Sequence, residues 1–318
     1  MRSIIASIVS TLFFIGVVSV PLTPLSFFYL GFRYGLQQAS IAVGVFFILS
    51  MALFGLPIAI ASAIIFGLPS LFLTRMSLLS RQNDPSAPDD HEFYPASRLL
   101  LWILALSLIL TLGLFGLFID QSGGLPGVML TLFSQSPEMI TILGNSDVLS
   151  ISDAALSLML NTIIISSSAS WMLSIFGSLL LAQKLCQNTG QNLRSPFTLK
   201  SMRFGDWLLL ALLISGAGVY FTSGAWSVFF ATIAASFIIP YFLLGLVIIH
   251  AISWPRSGRM LILVSVYVVL LAYVWFIIPV AILGILNPQF KILEKIEERR
   301  EKKDNVNRRD PPNTPPEE

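Results

Sequence analysis

The sequence predicts an all-α protein: a polytopic transmembrane bundle of eight or nine membrane-embedded helices, with one broken amphipathic segment outside the bilayer. Three observations carry that expectation. Nine stretches are apolar over lengths approaching the roughly 20 residues of a crossing helix, and the gaps between them hold almost all of the charge. Only 11% of residues are charged and 55% are hydrophobic, with mean hydropathy +0.81, against roughly 25% charged in an ordinary soluble domain. The net charge is +2, with basic residues confined to loops and a tail. No basic face is left for nucleic acid, and the partner this composition demands is the lipid bilayer.

The first span is read over 4–20, after Arg2. No small-x-small cleavage site follows it, and Pro21 leads straight into more apolar sequence, so it is expected to be retained. Spans over 25–36, 39–55 and 57–73 come next, short and closely joined. The stretch 25–36 is barely a dozen residues, which suits a half-helix or re-entrant piece as well as a crossing. Pro21, Pro24, Pro57 and Pro69 are read as punctuation at segment ends, where a missing N–H costs little.

Ser77 to Ser97 is polar, with Arg81, three prolines, Asp89, Asp90 and Glu92, and is expected to be a solvent loop. A clean span follows over 99–119. In Gln121 to Ala154, the apolar runs Val128–Phe133 and Met139–Leu143 are interrupted by Gly123, Gly124, Pro126, Gly127 and Pro137. That pattern predicts a broken amphipathic piece lying in the interface or capping a cavity.

Later spans are expected over 156–182, 207–221, 226–254 and 260–286. Trp102, Trp171, Trp207, Trp226 and Trp254 are read mostly as headgroup-layer anchors near span ends. The final span is expected to run on as a helix through Phe290, Leu293 and Ile296, with Glu298 and Lys302 paired at i,i+4. Residues 290–318 form a charged tail whose proline-rich end reads as disordered.

Arg75, Arg81 and Arg98, with Lys184, Arg194, Lys200 and Arg203, mark one side of the bilayer, and the stretch from Asp120 to Asp153 has no basic residue. The positive-inside rule therefore places the N-terminus in the cytoplasm. Forward counting carries the tail outside despite its lysines and arginines. A re-entrant 25–36, or a break at Pro240, resolves that conflict equally well.

The chain is not expected to be an enzyme, and no cofactor is expected. It has no nucleotide-binding G-x-x-x-x-G-K-[ST] and no H-E-x-x-H, and its two histidines, His91 and His250, fall in a loop and a span. The lone Cys186 excludes an intramolecular disulfide and has no histidine beside it to activate it. Polar residues within spans are the remaining candidates, because burial in hydrocarbon is costly. Arg33 could meet an anionic substrate or snorkel to the interface. Asn161, with Ser166–Ser168 and Ser170, gives one span a polar face for a substrate or for helix packing. His250 is a proton-relay candidate or simply a hydrogen-bonded histidine.

Met202-Arg203-Phe204-Gly205-Asp206-Trp207 opens one span, Pro240-Tyr241-Phe242-Leu243-Leu244-Gly245 through His250 lies in the next, and Leu283-Gly284-Ile285-Leu286-Asn287 closes the last. With Pro24-Leu25-Ser26 through Arg33-Tyr34-Gly35, these patterns resemble the YybS-like family of bacterial membrane proteins over most of the chain. Asn287 stands where that family usually has an acidic residue. Through it the chain is distantly similar to S-components of energy-coupling-factor transporters, whose alanines four apart are met only in part by Ala6 and Ser10. The resemblance implies a helical bundle that binds a ligand near one face and depends on separate ATPase and scaffold subunits. Two expectations stand: a transport-related binding subunit in which Asn161→Leu abolishes ligand retention, or a non-transport scaffold or envelope assembly factor.

Overall fold

The structure, a computed structural model, describes residues 2–15, 20–82, 91–135, 153–190, 192–197, 199, 202–253, 258–296 and 298. Among these residues the chain is a polytopic α-helical membrane protein, with one short strand pair and twelve α-helices. In order they are α1 Arg2–Ile15, α2 Leu25–Tyr34, α3 Leu36–Phe54, α4 Leu56–Ser62, α5 Leu68–Leu78, α6 Ala96–Leu117, α7 Gly124–Gln135, α8 Asp153–Asn188, α9 Asp206–Phe221, α10 Ala225–Ser253, α11 Arg259–Ala272 and α12 Ile277–Phe290. Five stretches are long and apolar enough to cross a membrane: Leu36–Phe54, Leu56–Leu78, Ala96–Leu117, Ala154–Asn188 and Ala225–Ser253. The large aliphatic side chains they expose, such as Ile48, Leu53, Ile109 and Leu112, suit a lipid solvent. Among the described residues, the helices within 4–20, 25–36, 207–221 and 260–286 are shorter than these, and residues 16–19 lie outside the described residues.

Two compact units are present. The first holds residues 1–198 and 204–237 and the second 199–203 and 238–318, so α10 begins in one and ends in the other as a single helix.

In the first unit the ten-residue α2 is the buried centre. Phe27, Phe28 and Phe32 are fully enclosed, and Ala6 of α1 and Ala42, Val43 and Phe46 of α3 pack around Phe27 and Leu30. Gly31 makes the approach to α5 close: a Cβ there would come 2.3 Å from Thr74 Cγ2. At Gly35, φ is +89°, a left-handed backbone that ends α2 and starts α3.

Pro69 does not end a segment, as the sequence reading had it. It lies inside the path Leu56–Leu78, just after a π-helical turn at Ala63–Gly67. Proline has no N–H for the carbonyl four residues back, which is Ile65. The indole Nε1 of Trp171, mid-way along α8, donates to that carbonyl at 2.9 Å instead. Trp171 is therefore a mid-helix donor here rather than a span-end anchor.

The connector Ser77–Ser97 is also more ordered than expected. Ser80–Gln82 and His91–Phe93 pair antiparallel, with Arg81 opposite Glu92, an opposite-charge cross-strand pair. Of the Gln121–Ala154 segment, α7 is a helix, and residues 136–152 lie outside the described residues.

In the second unit, the expected span 260–286 is two helices. The chain leaves helical geometry at Tyr273, makes a 3₁₀ turn at Val274–Phe276 and restarts as α12. Pro279 explains the break: a continuous helix would need its N–H, whereas in the first turn of a new helix that group is not used. Gly284 of α12 meets α10 backbone to backbone, since a Cβ there would lie 2.0 Å from the Tyr241 carbonyl and one at Gly245 would lie 1.9 Å from that of Val280. The helix does not run straight on into the tail. Lys291 adopts φ 49°, and the Asn287 side chain accepts from the Leu293 N–H at 3.1 Å. A further helical turn follows at 292–296, where Glu294 pairs with Arg203 and, at 3.7 Å, with Lys291. Lys302 and the proline-rich end lie outside the described residues.

Candidate functional site

α1 and α3 run in the same direction. Ser3 Oγ donates to Gln38 Oε1 at 2.7 Å and, one turn on, Ser7 Oγ donates to the Ala42 carbonyl at 2.7 Å. The helix between them runs back, so Arg2 and Tyr34 meet at one end, the guanidinium 4.7 Å from the centre of the phenol ring. At the other end the turn into α2 is held by hydroxyls. The Pro21 carbonyl accepts from Ser174 and, at 3.3 Å, from Ser178, while that of Thr23 accepts from Ser10 at 3.1 Å. Ser10 and Ser26 are also hydrogen-bonded to each other.

The scale of this hairpin follows from helix geometry. α2 covers about 15 Å, half of a hydrocarbon layer of about 30 Å. Cys186 Sγ donates to the Tyr29 carbonyl at 3.6 Å, so α8 tracks the hairpin from near its open end to its tip. From Cys186 to Ser174 is about 18 Å along α8, and the helix runs about 31 Å further to Asp153. The hairpin thus occupies one end of the longest helix and stops well short of the other.

A cavity of about 370 Å³ opens between α1 and α2, bounded by Ile5, Ala6, Val9, Leu25 and Leu30 and, on α8, by Leu185. Its polar groups are few: Ser26 inside, and Arg2, Tyr29 and Tyr34 at the open end. Arg33 stands beside that end, its guanidinium bonded to the Tyr29 hydroxyl and 5.3 Å from the Tyr34 ring centre. Two cationic heads therefore share one aromatic ring. Of these residues the sequence reading had singled out Arg33 alone. The i,i+4 spacing of Tyr29 and Arg33 was the available signal for the tyrosine.

The same end of the unit is closed by Arg194, which sequence reasoning treated only as a mark of sidedness. It is 5% exposed and donates to the carbonyls of Ser195 at 3.1 Å, Ser77 at 3.1 Å and Tyr94 at 3.4 Å, with its guanidinium 3.6 Å from the centre of the Phe197 ring. Burial pushes its pKa down to about 10, which leaves it charged at neutral pH. Gln183 of α8 fixes the same loop, donating to Ser195 O at 2.8 Å and accepting from Phe197 N at 3.2 Å. The Leu193 N–H caps the Phe32 carbonyl at 2.9 Å. Loop 192–197 thus ties α2, α5, α8 and the strand pair together.

Asn161 is half-buried on α8, about 37 Å along the helix from Cys186, so the structure does not bring it to Arg33. Its serine neighbours are engaged: Ser166 and Ser167 donate back to carbonyls of their own helix, and Ser168 joins Thr232 and Ser236 of α10 in a buried network. A second cavity, of about 400 Å³, lies near that end between α6, α7 and α10, against Phe115, Leu125, Trp226 and Phe229. His250, in the second unit, has Nδ1 2.9 Å from the Leu246 carbonyl and its ring edge-on to Tyr267. Among the described residues, no three histidine, cysteine or acidic side chains gather as a metal site.

The fold and sites define a multi-pass helical membrane protein. No family model, curated protein or solved structure matches the chain.

Proposed function

We propose that this chain is a multi-pass protein of the bacterial inner membrane that binds a small molecule between α1 and α2, as a transport-related subunit whose ATPase and scaffold are separate proteins. Eight or nine helices are embedded, counting the short ones, and the Arg2–Arg33–Arg75–Arg194 end faces the cytoplasm under the positive-inside rule. One observation carries the reading: a helical hairpin turns back beside a mostly apolar cavity that is polar at its mouth. Irregular backbone at membrane depth is tolerated where it is buried in protein or lines a cavity, and transporters build ligand sites from such broken helices.

The bound species would be identified by mass spectrometry of the full chain purified in detergent, alongside Ala6→Phe, which fills the cavity. Wild type retains a species that the variant loses, while Asn161→Leu, distant from the cavity, retains it. Equal retention, or none by wild type, removes the binding reading.

A second reading, a non-transport scaffold or envelope assembly factor, draws on one observation. The hydroxyl face of α8, at Ser168 with Thr232 and Ser236, serves helix packing. A wild-type protein that carries no ligand but co-purifies with a stoichiometric membrane partner is the result that reading expects.

A further inference from the structure

We infer that the α1–α2 cavity takes an anionic phospholipid from the surrounding leaflet, its phosphate between Arg2 and Arg33 and one acyl chain along Ile5, Val9, Leu25 and Leu30. This rests on the small-molecule reading above and names the class of molecule. Four observations favour it.

The cavity opens beside an exposed apolar face of α1. Along α1, Ser3, Ser7, Ser10 and Thr11 are buried inward, whereas Ile4, Ile5, Ile8 and Leu12 are about half exposed on the outer side, and Ile5 also lines the cavity. An occupant with a long apolar chain can therefore enter sideways and leave most of that chain in the bilayer. A volume of about 370 Å³ suits a phosphate, a glycerol backbone and the upper part of one chain.

Charge is complementary. The sequence from Met1 to Asn83 contains no aspartate or glutamate, yet it places Arg2 and Arg33 against the same Tyr34 ring. Among the described residues no carboxylate pairs with Arg2. A phosphate between the two guanidiniums offsets their mutual repulsion and accepts the forked, charge-assisted hydrogen bonds that arginine favours. Basic pockets between helices at the cytoplasmic surface suit anionic headgroups for this reason.

Polarity is segregated along the cavity. The Ser26 hydroxyl is already bonded to Ser10, so hydrogen-bonding capacity is concentrated at the mouth, in Arg2 and the hydroxyls of Tyr29 and Tyr34. A uniformly polar solute would leave the walls unmatched, and a neutral lipid would leave the Arg2 charge so.

The mouth is also rigid. Arg33 is fixed to the Tyr29 hydroxyl, the Tyr29 carbonyl accepts from Cys186, and loop 192–197 caps the end of α2, so the cationic end is organised before anything binds.

The test uses the full chain in neutral detergent, delipidated and re-exposed to phosphatidylglycerol or phosphatidylcholine, with bound lipid read by native mass spectrometry. Wild type is expected to retain phosphatidylglycerol about tenfold better than phosphatidylcholine, and R2Q/R33Q to lose that preference while R2K keeps it. Arg2 is exposed, so R2Q alone, with an unchanged melting temperature, guards against loss through misfolding and is expected to weaken the preference. Equal binding of the two lipids, an unchanged preference in R2Q/R33Q, or displacement of the lipid by excess inorganic phosphate overturns the inference. If Ala6→Phe still removes some other co-purifying species, the inference falls and the small-molecule reading stands. If Ala6→Phe changes nothing, both fall.

Discussion

Ser10 on α1 donates to the main-chain carbonyl of Thr23 across the turn that the two short N-terminal helices make, at 3.1 Å. With Ser174 and Ser178 on the Pro21 carbonyl, it satisfies backbone that no helix ladder reaches. Ser10→Ala and Ser178→Ala are each expected to lower stability by about 0.5–1.5 kcal/mol, read as a shift in thermal unfolding of the detergent-solubilised protein. Ser166→Ala, an exposed hydroxyl bonded within its own helix, serves as the neutral control.

Trp171 and Pro69 are coupled through the Ile65 carbonyl. Trp171→Phe removes the indole donor to that carbonyl and should cost about 1 kcal/mol. In a Pro69→Ala background the restored N–H takes over, and the cost of Trp171→Phe should shrink toward zero. A double-mutant cycle of unfolding free energies checks this, and additive costs would break the link.

The second unit depends on the absence of side chains at two positions. Gly284→Ala and Gly245→Ala would each drive a Cβ into a backbone carbonyl about 2 Å away, where nothing flexible can yield. Losses of about 1–3 kcal/mol are expected, whereas Gly216→Ala, with open space around it, should be tolerated. Parallel melting curves of the three variants make the comparison.

Arg194 holds three carbonyls and an aromatic ring at once, so Arg194→Lys cannot replace it and should cost about 1–3 kcal/mol. Its folded pKa is depressed to about 10, below its unfolded value. The unfolded state therefore binds the extra proton only above about pH 10, where stability rises with pH. Below that both states hold the proton, and the stability gap between wild type and Arg194→Met should be flat from about pH 6 to about pH 9. Denaturation at several pH values measures that slope.

Much of this architecture was legible because lipid imposes a simple rule: apolar runs form helices and charged gaps form loops. The starts of α6, α9 and α10 fall within a few residues of the expected 99, 207 and 226. What escaped was set by tertiary partners. Pro69 reads as a terminator until Trp171, more than a hundred residues away, supplies the missing donor. Pro279 hides in an unbroken apolar run, and its offset of four from Trp275 was the available clue to the break. Lys291 and Asn287 turn the chain through a side-chain cap that periodicity does not register. At the candidate site, Arg33 stood out as a charge in an apolar run, but its pairing with Arg2 through Tyr34 needed the return of α2 alongside α1. Asn161 stood out as a polar side chain in an apolar run, and the length of α8 sets it apart.

The α1–α2 hairpin is expected to end inside the bilayer, so the depth of its tip is the quantity to measure. In a Cys186→Ala background, single cysteines at Gln37, Gln121 and Leu22 would be probed with a membrane-impermeant maleimide from each side of oriented vesicles. Gln37→Cys should label from the cytoplasmic side, Gln121→Cys from the opposite side, and Leu22→Cys, at the tip, from neither. Labelling of Leu22→Cys from the Gln121 side, at a comparable rate, would show two full crossings in place of the hairpin and contradict the account.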